Sequence, residues 1–405
     1  MKILNIRQKR TAEYLELSAD VFYGKENLTR NLWFRFPVDL EDLNLTADPF
    51  LLANLADCMW KNENIEIDGE ISQKLFGSLE MAMDFLTMKM PDFSRIKVHA
   101  KIIKKSESAG ILHGCFFSGG VDSSYTFLKN KDDIDALVVM RGQDMSLNPI
   151  DDFRWESLLN HARAIGREYN KKVIPVVTNI RFYEGNSPRA SYKFWAEAVD
   201  GSFMAATGLA LSSIFNKIYF ASGLTFVYLE AHGCHLLLDP LWSTEKVDFI
   251  HDGCEANRLN KIIRQVSKSE VVLDGLRVCC KNRDKKYNCC RCQKCLKTMV
   301  CLKIAGVLDK CASFPETINL RRISRIWMGD TNLMHTWKEL YIAAKKQNMP
   351  ELARAIRRGL RRSKIFNFFA SRNKCIQMRD DLIIKLKPMK RKILGNRKIP
   401  IFSNN

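Results

Sequence analysis

Strand-like and helix-like segments alternate between residues 110 and 275, and no other feature constrains the fold as strongly. The strand-like segments are ILHGCFF, DALVVM, KKVIPVVTNI and KIYFASG, in which β-branched and aromatic residues recur. Between them, FRWESLLNHARAIGREY and GSFMAATGLALSSIF have apolar residues at helical spacing. Because strands joined by crossover helices pair in parallel, the sequence predicts an α/β fold with a parallel, Rossmann-like sheet covered by helices on both faces.

Three further regions flank this core. Residues 1–108 predict an N-terminal α+β domain of unknown role, with strands in YLELSADVFY, LWFRFPV and RIKVHAKII. Its two helices would run from Asp48-Pro49 to Trp60 and through SQKLFGSLEMAMDFL. A cysteine-rich segment and a basic helical region follow the core. The predicted domain ranges are 1–108, 109–275, 276–320 and 321–405.

Positive charge is concentrated at the C-terminus. The whole chain has a formal net charge of +19. Residues 321–405 hold 22 of the 64 Lys and Arg and 5 of the 45 Asp and Glu, a net +17, so the preceding residues carry only +2. Within this region, ELARAIRRGLRRSKIFNFFASR has Leu352, Ile356 and Leu360 on one helical face. An anionic partner, either tRNA or an anionic membrane surface, is therefore expected to bind this region, and a helix packed with its charges solvated is the alternative.

Two features that the sequence lacks, a signal peptide and a membrane-spanning stretch, predict its cellular compartment. The N-terminus lacks the apolar run of a signal peptide, and the longest apolar stretch, residues 203–215, is too short and too rich in Ser and Thr to span a bilayer. A cytoplasmic protein with no transmembrane segment is therefore expected. In that compartment the 13 cysteines predict metal binding, catalysis or core packing rather than a disulfide framework.

The loop in FFSGGVDSS has the composition of a phosphate-binding turn. Gly119 and Gly120 follow a strand directly and let the backbone turn sharply and approach a ligand. The helix that opens near Asp122 points its free N–H groups at the same space, and Ser118 and Ser123 add hydroxyl donors. The loop does not match GxxxxGK(S/T), so an ordinary P-loop NTPase is not indicated. The pattern predicts an anion nest at the carboxyl end of a parallel strand, and an ordinary βα turn is the alternative.

The heptapeptide SGGVDSS resembles the SGGxDS signature of the PP-loop ATP pyrophosphatases, the adenine nucleotide alpha hydrolase-like superfamily. Members cleave ATP between the α and β phosphates, transfer AMP to a substrate oxygen and release pyrophosphate; a nitrogen or sulfur nucleophile then displaces AMP. The resemblance covers about residues 110–300 and makes 109–275 the ATP-binding domain. It implies ATP and Mg²⁺ as cofactors, and Ser118 and Asp122 as catalytic residues. The ATP-binding residues that it implies are Ser118, Gly119, Gly120, Val121, Asp122, Ser123, Arg141, Gly142, Ser222 and Gly223.

The segment VCCKNRDKKYNCCRCQKCLKTM predicts a structural zinc site. Four thiolates at CxxC-type spacing, here C-x8-C-x2-C-x2-C, form closed tetrahedral zinc sites. The predicted zinc ligands are Cys280 or Cys279, Cys289, Cys292 and Cys295. Cys290 is a poorer ligand because one residue separates it from Cys292. Buried or redox-sensitive thiols and an iron–sulfur cluster are the alternatives.

A PP-loop domain followed by this cysteine spacing is similar to the 7-cyano-7-deazaguanine synthase family, which makes a queuosine precursor. That resemblance implies adenylation of a carboxylate or amide-type oxygen, followed by nitrogen transfer. The chain departs from that family in its long N-terminal region and its basic C-terminal region. NCCRCQKCLKTM is also similar to the NCxRCxKCxRT pattern of a sister group. The resemblance therefore identifies a divergent homologue and leaves the acceptor open.

Other function classes and residues stay open. A PP-loop enzyme that modifies tRNA or protein by thiolation or amide ligation would need a reactive thiol for sulfur chemistry, and Cys234 and Cys254 lie near predicted strand ends. A nucleotide-binding zinc regulator without turnover is the third class, and self-association as a homodimer is left open. HGCH, residues 232–235, fits either a metal site or a solvated turn. Arg258, Lys261 and Arg264 would face a triphosphate or form a solvated basic face.

Overall fold

The computed structural model describes part of the 405-residue chain: residues 1–24, 27–40, 43–103, 110–181, 191, 194–279, 286–329 and 331–368. The chain divides into two compact units, Met1–Ile318 and Asn319–Asn405. The first unit contains the sheet and the residues predicted to bind ATP and zinc. The second unit corresponds to the basic C-terminal region.

One ten-stranded mixed sheet runs through the first unit in the order β10-β9-β6-β7-β8-β3-β2-β1-β4-β5. The strands are β1 Lys2–Arg10, β2 Leu15–Tyr23, β3 Leu28–Phe36, β4 Ile65–Ser72, β5 Val98–Ile103, β6 Leu112–Phe116, β7 Ala136–Arg141, β8 Lys172–Thr178, β9 Phe215–Ala221 and β10 Asp248–Asp252. Within the described residues, most neighbouring pairs of strands are parallel. The predicted α/β class with a mostly parallel sheet is therefore confirmed, and this sheet is compatible with a Rossmann-like fold.

The parallel half of the sheet places its first strand in the middle. β6 pairs with β7 on one side and with β9 on the other, and β8 and β10 lie outside them. The first five residues of β7 are buried, as expected for a strand covered on both faces. In a doubly wound sheet, the chain changes its winding direction beside the first strand, and ligands bind outside the carboxyl ends of the strands at that point. The loop after β6 lies at this edge.

The N-terminal strands continue the same sheet. β3 pairs antiparallel with β8, with Phe34 opposite Thr178 and Arg35 opposite Val177, so the sheet crosses the boundary that the sequence predicted near residue 108. The Thr178 hydroxyl also donates to the Trp33 carbonyl oxygen at 2.7 Å. The strands predicted in residues 1–108 correspond to β2, β3 and β5, whereas β1 and β4 had no counterpart in the prediction.

The helices cover the sheet and connect its parallel strands. Those of the first unit are α1 Asp48–Lys61, α2 Gln73–Lys89, α3 Val121–Lys129, α4 Asp152–Glu168, α5 Asp200–Ala210, α6 Arg258–Arg264, α7 Glu270–Asp274 and α8 Gln293–Ile304. α1 begins at Asp48 as predicted, with a proline in its first turn. The Ser72 hydroxyl caps α2 by accepting from the Leu75 N–H at 3.0 Å. The helix predicted over residues 201–215 ends earlier, because β9 already begins at Phe215.

The second unit is helical in the residues that the structure describes. Its helices are α9 Leu320–Arg325, α10 Thr331–Lys346 and α11, residues 350–368. Leu352, Ile356 and Leu360 are buried along one face of α11, as its apolar spacing predicted. The end of the predicted helical segment, residues 369–372, lies outside the described residues. No described helix has both the length and the hydropathy needed to cross a membrane.

Candidate functional site

The loop between β6 and α3 has the backbone geometry that its sequence predicted. Gly119 has a φ of +71°, and a Cβ there would lie 2.8 Å from the Leu158 Cδ1 atom. Gly120 is the N-cap residue of α3 and supplies no side-chain cap. The Ser118 N–H donates to the Ser123 hydroxyl oxygen at 3.3 Å, and the two hydroxyl oxygens are 3.2 Å apart. The two serines thus hold the loop over the first turn of the helix.

Asp122, in the first turn of α3, is bound by two cations from α6. Arg258 Nη2 lies 2.7 Å and Lys261 Nζ 2.9 Å from its carboxylate oxygens. Burial raises the pKa of Asp122, but Arg258 and Lys261 outweigh it and hold that pKa well below its usual range. Lys261 is buried and also donates to the Ser222 carbonyl oxygen at 2.5 Å. The loops after β6 and β9 are therefore joined through one lysine.

Arg277 holds the loop from the other side. Its backbone N–H donates to the Gly119 carbonyl oxygen at 2.7 Å, and its Nη1 donates to the Ser118 carbonyl oxygen at 3.3 Å. The same guanidinium forms an ion pair with Asp144 at 2.8 Å. Burial opposes both charges, yet the pair lowers the pKa of Asp144 and raises that of Arg277. The buried Arg277 Nε has no hydrogen-bond partner among the described residues.

A cleft of about 90 Å³ lies between these groups. Its walls are formed by Ser118, Gly120, Val121, Asp122, Asp144, Arg258, Arg277, Val278, Cys279 and Lys294. Three of these side chains are cationic and two are carboxylates, and Lys261 and Lys297 lie near Asp122 as well. The cleft is much smaller than a typical small-molecule pocket of roughly 300 Å³ or more, so it can take phosphate groups but not a whole nucleotide.

Lys297 is the least compensated of these cations. Burial is the main cause that lowers its pKa to about 8, and the neighbouring Arg258 contributes. Within the part of the chain that the structure describes, no hydrogen bond or ion pair to its Nζ is found. An anion bound beside Asp122 and Arg258 would lower the free energy of this charge.

The structure brings together some of the residues predicted to bind ATP. Ser118, Gly120, Val121 and Asp122 line the cleft, Ser123 supports the loop, and Ser222 is bound through Lys261, as described above. The side chain of Arg141 forms an ion pair with Asp152 at 2.5 Å. Gly142 has a φ of +104°, and a Cβ there would lie 1.6 Å from the Thr178 carbonyl oxygen, so backbone conformation and packing account for glycine at this position. Neither Arg141, Gly142 nor Gly223 lines the cleft.

The sequence predicted only some of the charged residues around the cleft. Arg258 lines the cleft and Lys261 contacts Asp122, whereas Arg264 is exposed. The hypothesis that they face a triphosphate stays a prediction. Arg277 and Asp144 were not singled out. The one available signal for Asp144 was its position just after the end of β7, where polar residues of a parallel sheet meet at one edge. No local pattern marks Arg277, whose partners are far away in the sequence.

Four cysteine thiols come together beside the cleft. The sulfur atoms of Cys279, Cys289, Cys292 and Cys295 all lie within 4.8 Å of one another. Two of the separations are 3.9 Å, between Cys289 and Cys295, and 3.4 Å, between Cys292 and Cys295. Tetrahedral zinc with Zn–S bonds of about 2.3 Å requires about 3.8 Å. The cluster can therefore hold a metal ion such as zinc. Of the two candidates for the first ligand, Cys279 is in the cluster, and Cys280 lies outside the described residues.

Local structure explains why Cys292 and Cys295 belong to the thiol cluster and Cys290 does not. Cys292 is the N-cap residue of α8, so Cys295 lies one helical turn further along. Cys290 has a φ of +53° and its thiol donates to the Asn288 carbonyl oxygen, away from the cluster. The Asn288 side chain accepts from the backbone N–H groups of Val278 and Cys279 at 3.0 and 3.2 Å. That amide ties the first cysteine to the other three.

Cys279 belongs to both structures, since it lines the cleft and contributes to the thiol cluster. Lys294, between two of the cluster's cysteines, also lines the cleft. A metal ion here would therefore fix one wall of the cationic cleft. Comparison with protein-family models, curated proteins and solved structures found no match to this chain.

Proposed function

We propose that this chain is an ATP-dependent enzyme of the PP-loop pyrophosphatase type. It would adenylate a carboxylate or amide-type oxygen of a small molecule, release pyrophosphate and complete the reaction by nitrogen transfer. The observation that carries the proposal is the cationic cleft around the loop Ser118–Ser123, at the carboxyl edge of the first strand of a parallel sheet. Sites of this kind bind anionic ligands through backbone N–H groups, a helix dipole and fixed cations.

The roles of the side chains follow from the charges. Pyrophosphate gains negative charge as it leaves, and preorganised donors stabilise charge where it develops. Arg258, Lys261 and Arg277 supply such donors, and the size of the cleft suits the β and γ phosphates. With phosphate oxygens on Arg258 and Lys261, the Asp122 carboxylate would be available to hold Mg²⁺, a cation that prefers oxygen ligands. Mg²⁺ would neutralise the leaving group.

The thiol cluster is proposed to hold a structural zinc ion. Zinc is favoured because the four donors are all sulfur, the site is closed, and the two sulfur separations given above bracket the tetrahedral value. Its ligands would be Cys279, Cys289, Cys292 and Cys295. The same four thiols would also suit an iron–sulfur cluster, and that remains the alternative to exclude.

A second candidate is the same chemistry on tRNA. It is favoured by α11, on which Arg354, Arg357, Arg358, Arg361, Arg362 and Lys364 are all exposed. A row of solvent-facing cations opposite an apolar face suits a phosphate backbone. If sulfur rather than nitrogen were transferred, Cys254 would be the candidate thiol outside the cluster, because it donates to the Ser222 hydroxyl at 3.2 Å.

The deciding experiment follows the products of ATP. Full-length protein is incubated with Mg²⁺ and α-labelled ATP, with pools of small carboxylates or with tRNA as acceptor. AMP and pyrophosphate are expected, and Ser118→Ala and Asp122→Ala should abolish their formation. Matched controls are Ser157→Ala and Asp132→Ala, which alter residues that do not line the cleft.

Release of ADP and phosphate would reject the pyrophosphatase assignment. Equal rates for Asp122→Ala and Asp132→Ala would place the reaction elsewhere. Magnesium-dependent binding of ATP with no product from any acceptor would favour the third class, a nucleotide-binding regulator.

A further inference from the structure

A second group of metal-binding side chains lies in the first unit and has no part in the proposed reaction. The Asp239 Oδ2 atom is 2.7 Å from His251 Nδ1 and 3.1 Å from Cys234 Sγ. The sulfur and the imidazole nitrogen are 3.9 Å apart. Asp239 is fully buried, and the His251 side chain is almost so. Three different donor atoms, from positions up to seventeen residues apart, thus converge on one point.

We propose that Cys234, Asp239 and His251 bind a second transition-metal ion, which the donor set identifies as zinc. With Zn–S near 2.3 Å and Zn–N and Zn–O near 2.0 Å, tetrahedral ligand atoms lie about 3.3–3.5 Å apart. The observed separations scatter on both sides of that value. One sulfur, one nitrogen and one oxygen suit zinc, whereas Mg²⁺ and Ca²⁺ require oxygen ligands. Three protein ligands leave one coordination position for water or another group.

The surroundings are built to hold the carboxylate. His251 is fixed in β10, and Asp239 begins a short 3₁₀ turn, Asp239–Trp242. The second oxygen of Asp239, Oδ1, accepts from the His235 N–H at 3.3 Å, which leaves Oδ2 facing the other two ligands. Outer contacts of this kind orient ligands in metal sites.

Two glycines make room for the acidic side chains. A Cβ on Gly201 would lie 2.7 Å from Asp239 Oδ1, and a Cβ on Gly233 would lie 2.4 Å from Asp200 Oδ1. The backbone therefore packs directly against both carboxylates. A divalent cation would offset the negative charge of the fully buried Asp239 carboxylate.

The competing interpretation is a hydrogen-bonded trio without metal, in which His251 Nδ1–H and the Cys234 thiol both donate to Asp239. The distances from His251 Nδ1 and Cys234 Sγ to Asp239 Oδ2 are also within the range of hydrogen bonds. The two interpretations differ in one measurable respect: only the metal site displaces both protons and adds a bound ion.

Cadmium-113 NMR of the full-length protein, loaded with Cd²⁺ as the probe, separates the two. The chemical shift of bound cadmium depends strongly on the number of thiolate ligands. We expect two signals, one from a thiolate-rich site and one far upfield from a site with a single thiolate. Cys234→Ser should remove only the upfield signal, and Cys295→Ser only the thiolate-rich one. Cys311→Ser is the matched control, since Cys311 is buried outside both groups.

Zinc content gives a second measurement on the same proteins. About two zinc ions per chain are expected for the wild type, and about one for Cys234→Ser or His251→Ala. A wild-type spectrum with the thiolate-rich signal alone would overturn the proposal, and so would an upfield signal that survives Cys234→Ser. If Cys234→Ser does not fold, the number of signals from the wild type decides alone.

Discussion

Replacing Lys297 by methionine should make the protein more stable and its anion site weaker. Lys297 bears a positive charge that burial penalises, as its pKa of about 8 records, whereas a free lysine has a pKa of 10.5. Methionine has similar length and no charge. The substitution therefore removes the penalty while preserving most of the packing.

The magnitude follows from the pKa. A depression of about 2.5 units corresponds to about 3 kcal/mol at about 1.36 kcal/mol per unit. Because the side chain is partly exposed, this is an upper limit. The folded protein releases this proton at lower pH than the unfolded chain does. The penalty is therefore complete below pH 8 and disappears as the pH rises toward 10.5, so the advantage of the variant should fall to about half by pH 9.5.

The assay is urea unfolding of the full-length protein at pH 7 and at pH 9.5, together with calorimetric titration of pyrophosphate. Lys303→Met is the matched control, since Lys303 is exposed on the same helix, α8, and does not line the cleft. We expect Lys297→Met to unfold at higher urea than the wild type at pH 7. We also expect roughly a tenfold loss of pyrophosphate affinity, which equals about 1.4 kcal/mol. Lys303→Met should show neither the gain in stability nor the loss of pyrophosphate affinity.

Two results would refute this reasoning. If Lys297→Met were no more stable than the wild type at pH 7, burial would not penalise the charge. If stability rose while pyrophosphate affinity stayed unchanged, Lys297 would lie outside the anion site.

Three further predictions concern other parts of the molecule. Burial raises the pKa of Asp48 to about 6, so the free energy of unfolding of the wild type should fall by about 3 kcal/mol as the pH rises from about 4 to about 6. In chemical unfolding, Asp48→Asn should not show this fall, whereas the control Asp68→Asn, at an exposed position, should show it as the wild type does. Cys295→Ser should lose about one bound zinc ion in elemental analysis and lower the thermal midpoint, since metal binding stabilises only the folded state. The pair Arg357→Glu and Arg361→Glu should weaken tRNA binding in filter assays and make it less dependent on salt.

Each of these has a contrary outcome. Equal pH profiles for Asp48→Asn and the wild type would mean that the carboxyl group ionises normally. Unchanged metal content in Cys295→Ser would show that the thiol cluster holds no zinc. Unchanged tRNA affinity at low salt would exclude α11 as the binding surface.

The parallel half of the fold was predictable because its signal is local. DALVVM corresponds to β7, in which five consecutive residues are buried. A short apolar run of this kind is typical of a buried strand. β10 was missed because it has only five residues, begins and ends with aspartate, and leaves Ile250 substantially exposed. β1 was missed for a similar reason: its only fully buried residue is Ile3. Tertiary pairing, not local composition, makes these segments strands.

The same distinction applies to the site. The loop Ser118–Ser123 could be found because its glycines and serines are adjacent in the sequence. The ion pair between Arg277 and Asp144 joins residues 133 positions apart, and each is unremarkable in its own surroundings. The first thiol of the cluster was ambiguous because Cys279 and Cys280 are neighbours that satisfy almost the same spacing.

The amide of Asn288 has a consequence for regulation. It holds the backbone of Val278 and Cys279, and the next residue back, Arg277, holds Gly119 in the loop after β6. The thiol cluster and the cationic cleft therefore share one short, hydrogen-bonded segment of chain. If metal binding changes the affinity of the cleft for an anion by some factor, the anion must change the affinity of the cluster for metal by the same factor. If the cluster holds zinc, the amount of available zinc would then change the affinity of the cleft for anions, and an anion bound in the cleft would slow the removal of zinc by chelators.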